Sequence, residues 1–146
     1  MDDQTDRQFM RLAIQQANEG ETPFGCVIVT EGTVIAQAYN TVSSSHDASA
    51  HGEINALRTA SLVLQNHLLE STTLYTTGEP CPMCMSAIIY AKIPRVVYGA
   101  SISDIARFMP QITLPSQEVV NQSEQKVELT GPLLVSACIN LLERFS

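Results

Sequence analysis

The sequence predicts an α/β fold, a mixed β-sheet with helices on both faces, in a single domain spanning residues 1–146. Three observations carry this expectation. Stretches of β-branched and aromatic composition interleave with stretches of helical periodicity along the chain. No internal repeat or linker-like segment interrupts them. The 146 residues, 45% of them hydrophobic, suffice for one core without disulfide staples.

Phe9, Leu12, Ala13 and Ala17 recur on one face of a helix from Asp6 to Glu19. Gly20 is its expected stop, and Asp2, Asp3 and Asp6 suit the positive end of its dipole. Gly25–Thr30 and Thr33–Tyr39 read as a hairpin that turns at Glu31-Gly32. Val42 to Ala50 is small and polar, the composition of a loop. A helix is expected from Gly52 to Leu64 and a loop near Asn66–Ser71. Thr72–Thr77 then has the β-branched and aromatic make-up of a buried strand.

Gly78, Pro80 and Pro82 break that strand, and Met85, Ile88 and Ile89 mark the helix that follows. Arg95–Ala100 is again strand-like. Ser101 to Gln125 has no clear period, and only one helical turn is expected there, around Asp104–Phe108. Lys126–Leu129 is the last expected strand. Gly131-Pro132 is expected to start a final helix burying Leu133, Leu134, Cys138 and Leu142.

A net charge of -7, with Lys and Arg scattered, disfavours a nucleic-acid partner, because affinity for phosphates comes mostly from basic contacts. The N-terminal MDDQTDRQFM lacks the apolar core of a signal peptide, and no apolar run approaches a membrane span. The expected location is cytoplasmic. In that reducing compartment the four cysteines point to metal binding or burial instead of disulfides.

His51, Cys81 and Cys84 are the candidate metal ligands. Cys81 and Cys84 lie three apart, so in a first helical turn both sulfurs face the same way. A helix N-terminus also favours the thiolate, the form that binds metal. One imidazole and two thiolates suit Zn2+ and leave a fourth position open for water. Cys26, in an apolar strand, and Cys138, in the last helix, read as small buried hydrophobes instead of a fourth ligand.

Glu53 is the candidate proton carrier, from water to a ring nitrogen and a leaving amine. Residues two apart on a regular helix point about 200° apart, so His51 and Glu53 share a site only if His51 precedes the first full turn. A closed structural zinc module is the competing reading; it would need a fourth protein ligand and would have no use for Glu53.

His-x-Glu followed by Pro-Cys-x-x-Cys is the signature of zinc deaminases acting on nucleobases. It stands here as His51-Gly52-Glu53 and Pro80-Cys81-Pro82-Met83-Cys84, with HGEINALR, TTLYTTGEPCPMC and IPRVVYGA around it. On these residues the chain resembles the cytidine-deaminase-like superfamily, in the branch of guanine, cytosine and tRNA wobble-adenosine deaminases. The similarity runs from roughly Phe9 to Ala100. It implies a three-layer α/β/α sandwich with a five-stranded sheet, and a zinc-activated water that attacks an amine-bearing ring carbon with release of ammonia. Glu53 is implied as the proton shuttle and the Cys81 backbone as the neighbour of the tetrahedral centre. Asn40 is implied as a substrate partner, Phe24 as pocket wall, and a homodimer as the assembly.

For substrate, the acidic balance favours a small free base over RNA, and the chain ends LLERFS instead of in the basic tail usual in the tRNA enzymes. TPFGCVIV, GEPCPMC and Asp104 after YGASIS resemble the guanine deaminases. Phe108 is followed by Met109 and Pro110, where those enzymes tend to carry acidic residues, and their aromatic tail has no counterpart after Ser146. A guanine-like aminopurine or related N-heterocycle is the expected substrate; cytosine and tRNA wobble adenosine are the alternatives. Asp104 is a third candidate substrate contact and reads equally as a helix cap; Asn40 reads equally as a strand-end turn residue, and Phe24 as core.

Overall fold

The computed structural model describes residues 3–146; Asp2, expected at the first helix's N-terminus, lies outside them. The chain runs α1 (Asp3–Gly20), β1 (Gly25–Thr30), β2 (Thr33–Tyr39), α2 (Val42–Ser45), α3 (Gly52–Leu64), β3 (Thr72–Gly78), α4 (Pro82–Tyr90), β4 (Arg95–Ala100), α5 (Ile102–Ile105), α6 (Ser116–Asn121), β5 (Glu128–Thr130) and α7 (Val135–Phe145). The five strands form one sheet in the order β2-β1-β3-β4-β5. The β1 strand pairs antiparallel with β2 and β3, whereas β4 pairs parallel with β3 and β5. The expected mixed α/β/α arrangement is therefore present.

Alternation along the central strands builds both layers. Cys26, Ile28, Leu74 and Val96 face a cluster with Ala56, Leu57 and Ala60 of α3, Met85 and Ile88 of α4, and Val120 of α6. Val27, Val29, Tyr75 and Val97 face the other way, against Phe9, Met10 and Ala13 of α1 and Cys138 and Leu142 of α7. On that second face the Arg95 guanidinium donates to both carboxylate oxygens of the buried Asp6 at 2.8 and 2.7 Å, and the Tyr75 hydroxyl donates to Asp6 at 2.8 Å. The network ties α1 to the start of β4.

The hairpin turns where expected, with Glu31 and Gly32 both left-handed at φ 49° and 76°, as the favoured two-residue turn requires. Several elements differ from the sequence reading: the turn expected around Asp104–Phe108 lies at Ile102–Ile105, and Ser116–Asn121 forms a second short helix where a loop was expected. Val42–Ser45 makes one helical turn inside the expected loop. The last strand is Glu128–Thr130, because pairing with Arg95–Val97 sets its register and not local composition. The last helix starts at Val135 instead of near Pro132: Leu133 N–H donates to Tyr98 O at 3.0 Å and Leu134 is left-handed at φ 51°, so neither continues a helix.

Candidate active site

Two helix N-termini meet at the metal-ligating group. His51 is the residue before α3, with extended backbone at φ -67° and ψ 158°. That placement lets His51 and Glu53 line one cavity despite their spacing. Cys81 occupies the same position before α4, also extended, and Pro82 takes the first helical position that suits its missing N–H. Cys84 follows one turn in, buried.

The ligand atoms of His51, Cys81 and Cys84 all lie within 4.8 Å of one another. His51 Nδ1 is 3.6 Å from Cys81 Sγ and 3.5 Å from Cys84 Sγ. A tetrahedral zinc with ordinary N and S bond lengths separates such atoms by about 3.5 Å, so the donor set fits this ion. It is a three-ligand group of the kind that leaves a coordination position for chemistry.

The local electrostatics agree with that use. Hydrogen bonds from Cys84 and then His51 outweigh burial and hold the Cys81 thiol down at about 4, in the thiolate form a metal takes. Cys84 is pushed up by its hydrogen bond to Cys81 and by burial. The hydrogen bond with Cys81 raises His51. Glu53 is buried, and burial lifts its carboxyl to about 7, where a group can both accept and give a proton near neutrality. Cys26 lies outside the ligand group; burial, aided by the Glu53 charge, pushes its thiol up and keeps it protonated.

The cavity above these groups has a volume of about 300 Å³. Phe24 and Asn40 line it together with Ile105, Met109 and Gln111. Long-range hydrogen bonds hold the first two in place. Thr77 Oγ1 accepts from Gly25 N–H at 3.1 Å and donates to Pro23 O at 2.9 Å, gripping the chain on both sides of Phe24. Asn40 Oδ1 accepts from Val42 N–H at 3.0 Å. From α3, Asn55 Nδ2 donates to Tyr39 O and Thr41 Oγ1, both at 2.9 Å, and reaches Ala50 O at 3.3 Å. One amide thus binds the loop that carries Asn40 to the helix that carries Glu53. Close packing continues at Gly78, where an added Cβ would come within 2.9 Å of Ile105 Cδ1 and 3.2 Å of the Phe24 ring.

His51, Glu53, Cys81, Asn40 and Phe24 all line this cavity; Asp104 does not. The Asp104 carboxylate sits 3.5 Å from Arg107, one turn on, and its N–H donates to Ser101 Oγ. The turn of α5 presents the next residue, Ile105, in its place. Sequence reasoning missed Glu79, Asn55, Met109 and Gln111. Glu79 and Asn55 stood in quoted motif stretches, a signal that was open to use. Met109 and Gln111 lie in the segment with no period, and nothing local marks them.

A mixed α/β/α sheet with a His/Cys/Cys group at two helix N-termini and a buried glutamate beside it defines a zinc-dependent hydrolytic deaminase. Residues 3–100 match the cytidine and deoxycytidylate deaminase zinc-binding region, and the chain belongs to that family. It is 39% identical over 145 residues to a tRNA-specific adenosine deaminase of Buchnera aphidicola subsp. Baizongia pistaciae, covering 97% of this chain and 88% of that one. It is 43% identical over 103 residues to a guanine deaminase of Bacillus subtilis, covering 67% of this chain and 66% of the other. A structure solved in work on A-to-I editing by tRNA:A34 deaminases superposes with a TM-score of 0.78 at 30% identity, over 92% of this chain and 98% of that one. Relatives of this kind remove the support for excluding nucleic acid on net charge alone. Among the described residues, no helix is long and apolar enough to cross a membrane.

Proposed function

We propose that this deaminase acts on adenosine in tRNA, at the wobble position, and yields inosine. The observation that carries this reading is the reach of the similarity. It extends over 97% of the chain to a tRNA-specific adenosine deaminase, including the segment beyond Ala100 that completes the pocket, whereas the similarity to the guanine deaminase covers 67%. Zinc held by His51, Cys81 and Cys84 supplies Lewis-acid activation of water. Glu53, poised near neutrality in its buried setting, takes one proton from water and gives it to the ring nitrogen, then takes the second from the added hydroxyl and gives it to the departing amine, which leaves as ammonia. Asn40 has its Oδ1 engaged by Val42, so Nδ2 is the donor offered to an acceptor on the base. Cys81 lines the cavity, which supports its backbone as the neighbour of the reacting carbon.

A second reading, deamination of a free guanine-like aminopurine, is favoured by the 43% identity to a guanine deaminase and by a net charge of -7. The cavity of about 300 Å³ takes one base in either case. In the same proposal residues 1–146 act as one domain, in a cytoplasmic homodimer.

The test is direct. Zinc-loaded protein is incubated with an anticodon stem-loop carrying adenosine at the wobble position and, separately, with guanine, cytosine and adenine. Inosine in the RNA with no ammonia from the free bases supports the first reading. Xanthine from guanine with unchanged RNA overturns it in favour of the second.

A further inference from the structure

We propose that Glu79 is a positioning residue that fastens the pocket wall formed by residues 102–116 to the turn carrying Cys81. Glu79 follows β3 directly and its own N–H donates to Ala100 O at 2.8 Å, which aligns the turn with the end of β4. Its carboxylate then reaches both ends of the segment that follows. Oε1 accepts from Ile102 N–H, the first residue of α5, at 2.9 Å, and Oε2 accepts from Ser116 N–H, the first residue of α6, at 2.8 Å. Ser116 Oγ adds a link in the opposite sense, donating to Pro80 O at 2.7 Å in a buried position.

The residue before α6 is Pro115, whose side chain makes no capping hydrogen bond. The first turn of that helix takes its acceptor from Glu79 instead, 37 residues earlier. Between the two anchored amides lie Ile105, Met109 and Gln111, which line the cavity. This stretch contains Pro110 and Pro115 and two exposed apolar side chains, Ile112 at 68% and Leu114 at 45% exposure. Ile105 is buried in the core and Phe108 and Met109 pack against it, but little packing fixes residues 110–115, so the anchored ends set the course of the stretch that carries Gln111. Gln111 Nε2 donates to Pro110 O at 2.8 Å, so its Oε1 is the atom this segment offers at the cavity.

The assignment deepens the deaminase reading and rests on it for the kinetic part of its test. Glu79→Gln keeps the length and one carbonyl acceptor but turns an NH2 group toward one of the two amides, so one anchor opens. Amide exchange of the zinc-loaded protein is followed at Ile102 and Ser116, with zinc content, KM and kcat measured on the substrate that the wild type turns over. The expected result is faster exchange at one of these amides with zinc retained. KM rises about tenfold, the scale of one lost hydrogen bond to a charged acceptor, while kcat changes less than KM. Ser116→Ala removes only the Pro80 link, and its KM should move less than that of Glu79→Gln.

Unchanged exchange at both amides overturns the clamp. Faster exchange with unaltered KM overturns the positioning role and leaves a structural one. Loss of zinc from Glu79→Gln overturns the assignment by showing that Glu79 acts on the metal turn. A wild type inactive on RNA but active on guanine sinks the tRNA reading alone, and the KM comparison is then made on guanine.

Discussion

The metal centre and the rest of the pocket lining are built in different ways. The ligands and Glu53 come from two local motifs, each placed where an extended residue enters a helix. Phe24, Asn40, Ile105, Met109 and Gln111 come from loops and the end of α5, far apart in sequence, and side chains such as Thr77, Asn55 and Glu79 hold these segments. Within each motif the geometry is set over a few residues, and the sheet brings the two motifs together. The rest of the lining is set by tertiary hydrogen bonds from side chains to distant backbone.

The sharpest way to break the comparison is Glu53→Gln. It should keep zinc and cut deamination by about 10²–10⁴-fold, read as ammonia release with metal analysis in parallel. Retained turnover would falsify the proton-carrier role. Cys84→Ala, or removal of zinc with a chelator, should abolish activity and lower the melting temperature together, because metal binding to the folded chain adds to its stability. A chelated protein that melts unchanged would mean the metal contributes nothing to the fold.

On the other side of the comparison, Asn55→Ala leaves Tyr39 O and Ala50 O without their side-chain donor. It should cost about 1–3 kcal/mol in denaturant unfolding. KM should rise more than kcat falls, and a pure kcat defect would place Asn55 with the metal centre instead. Gly78→Ala is milder: the added methyl meets the flexible end of Ile105 and the Phe24 ring, and KM should rise a few-fold with zinc content unchanged.

Asp6→Asn touches neither region and should leave kcat and KM at neutral pH as they are. Burial raises the Asp6 carboxyl, but hydrogen bonds from Arg95 and Tyr75 and the Arg95 charge outweigh it, and the net shift is downward. A depressed carboxyl contributes stability that is present above its unfolded value and lost as pH falls through the folded one. Acid unfolding below about pH 4 should therefore be less steep in Asp6→Asn than in the wild type. Equal slopes would show that another carboxylate controls the acid limb.

Much of the fold was legible because its central elements carry their own signals. The β-branched run before Gly78, the paired turn residues Glu31 and Gly32, and the apolar face of α1 each act over a few residues. Boundaries failed where a distant partner decided them: β5 takes its register from β4, and α7 is delayed because Leu133 bonds to Tyr98. In the site, Asp104 was read toward the substrate, yet the pitch of α5 turns it to Arg107 and brings Ile105 to the cavity.

What the sequence by itself determined is the reaction: His51-Gly52-Glu53 and Cys81 to Cys84 are two local motifs at locally marked helix starts, although the sheet has to bring the two together. What only the tertiary structure decided is the shape of the space above them. Ile102 and Ser116 meet one carboxylate from Glu79, at sequence separations of 23 and 37, and no pattern in residues 101–125 encodes that meeting. Hydrogen bonds between distant segments form only after the sheet has brought their ends together. Substrate choice therefore belongs to the folded chain, and the chemistry to the motif.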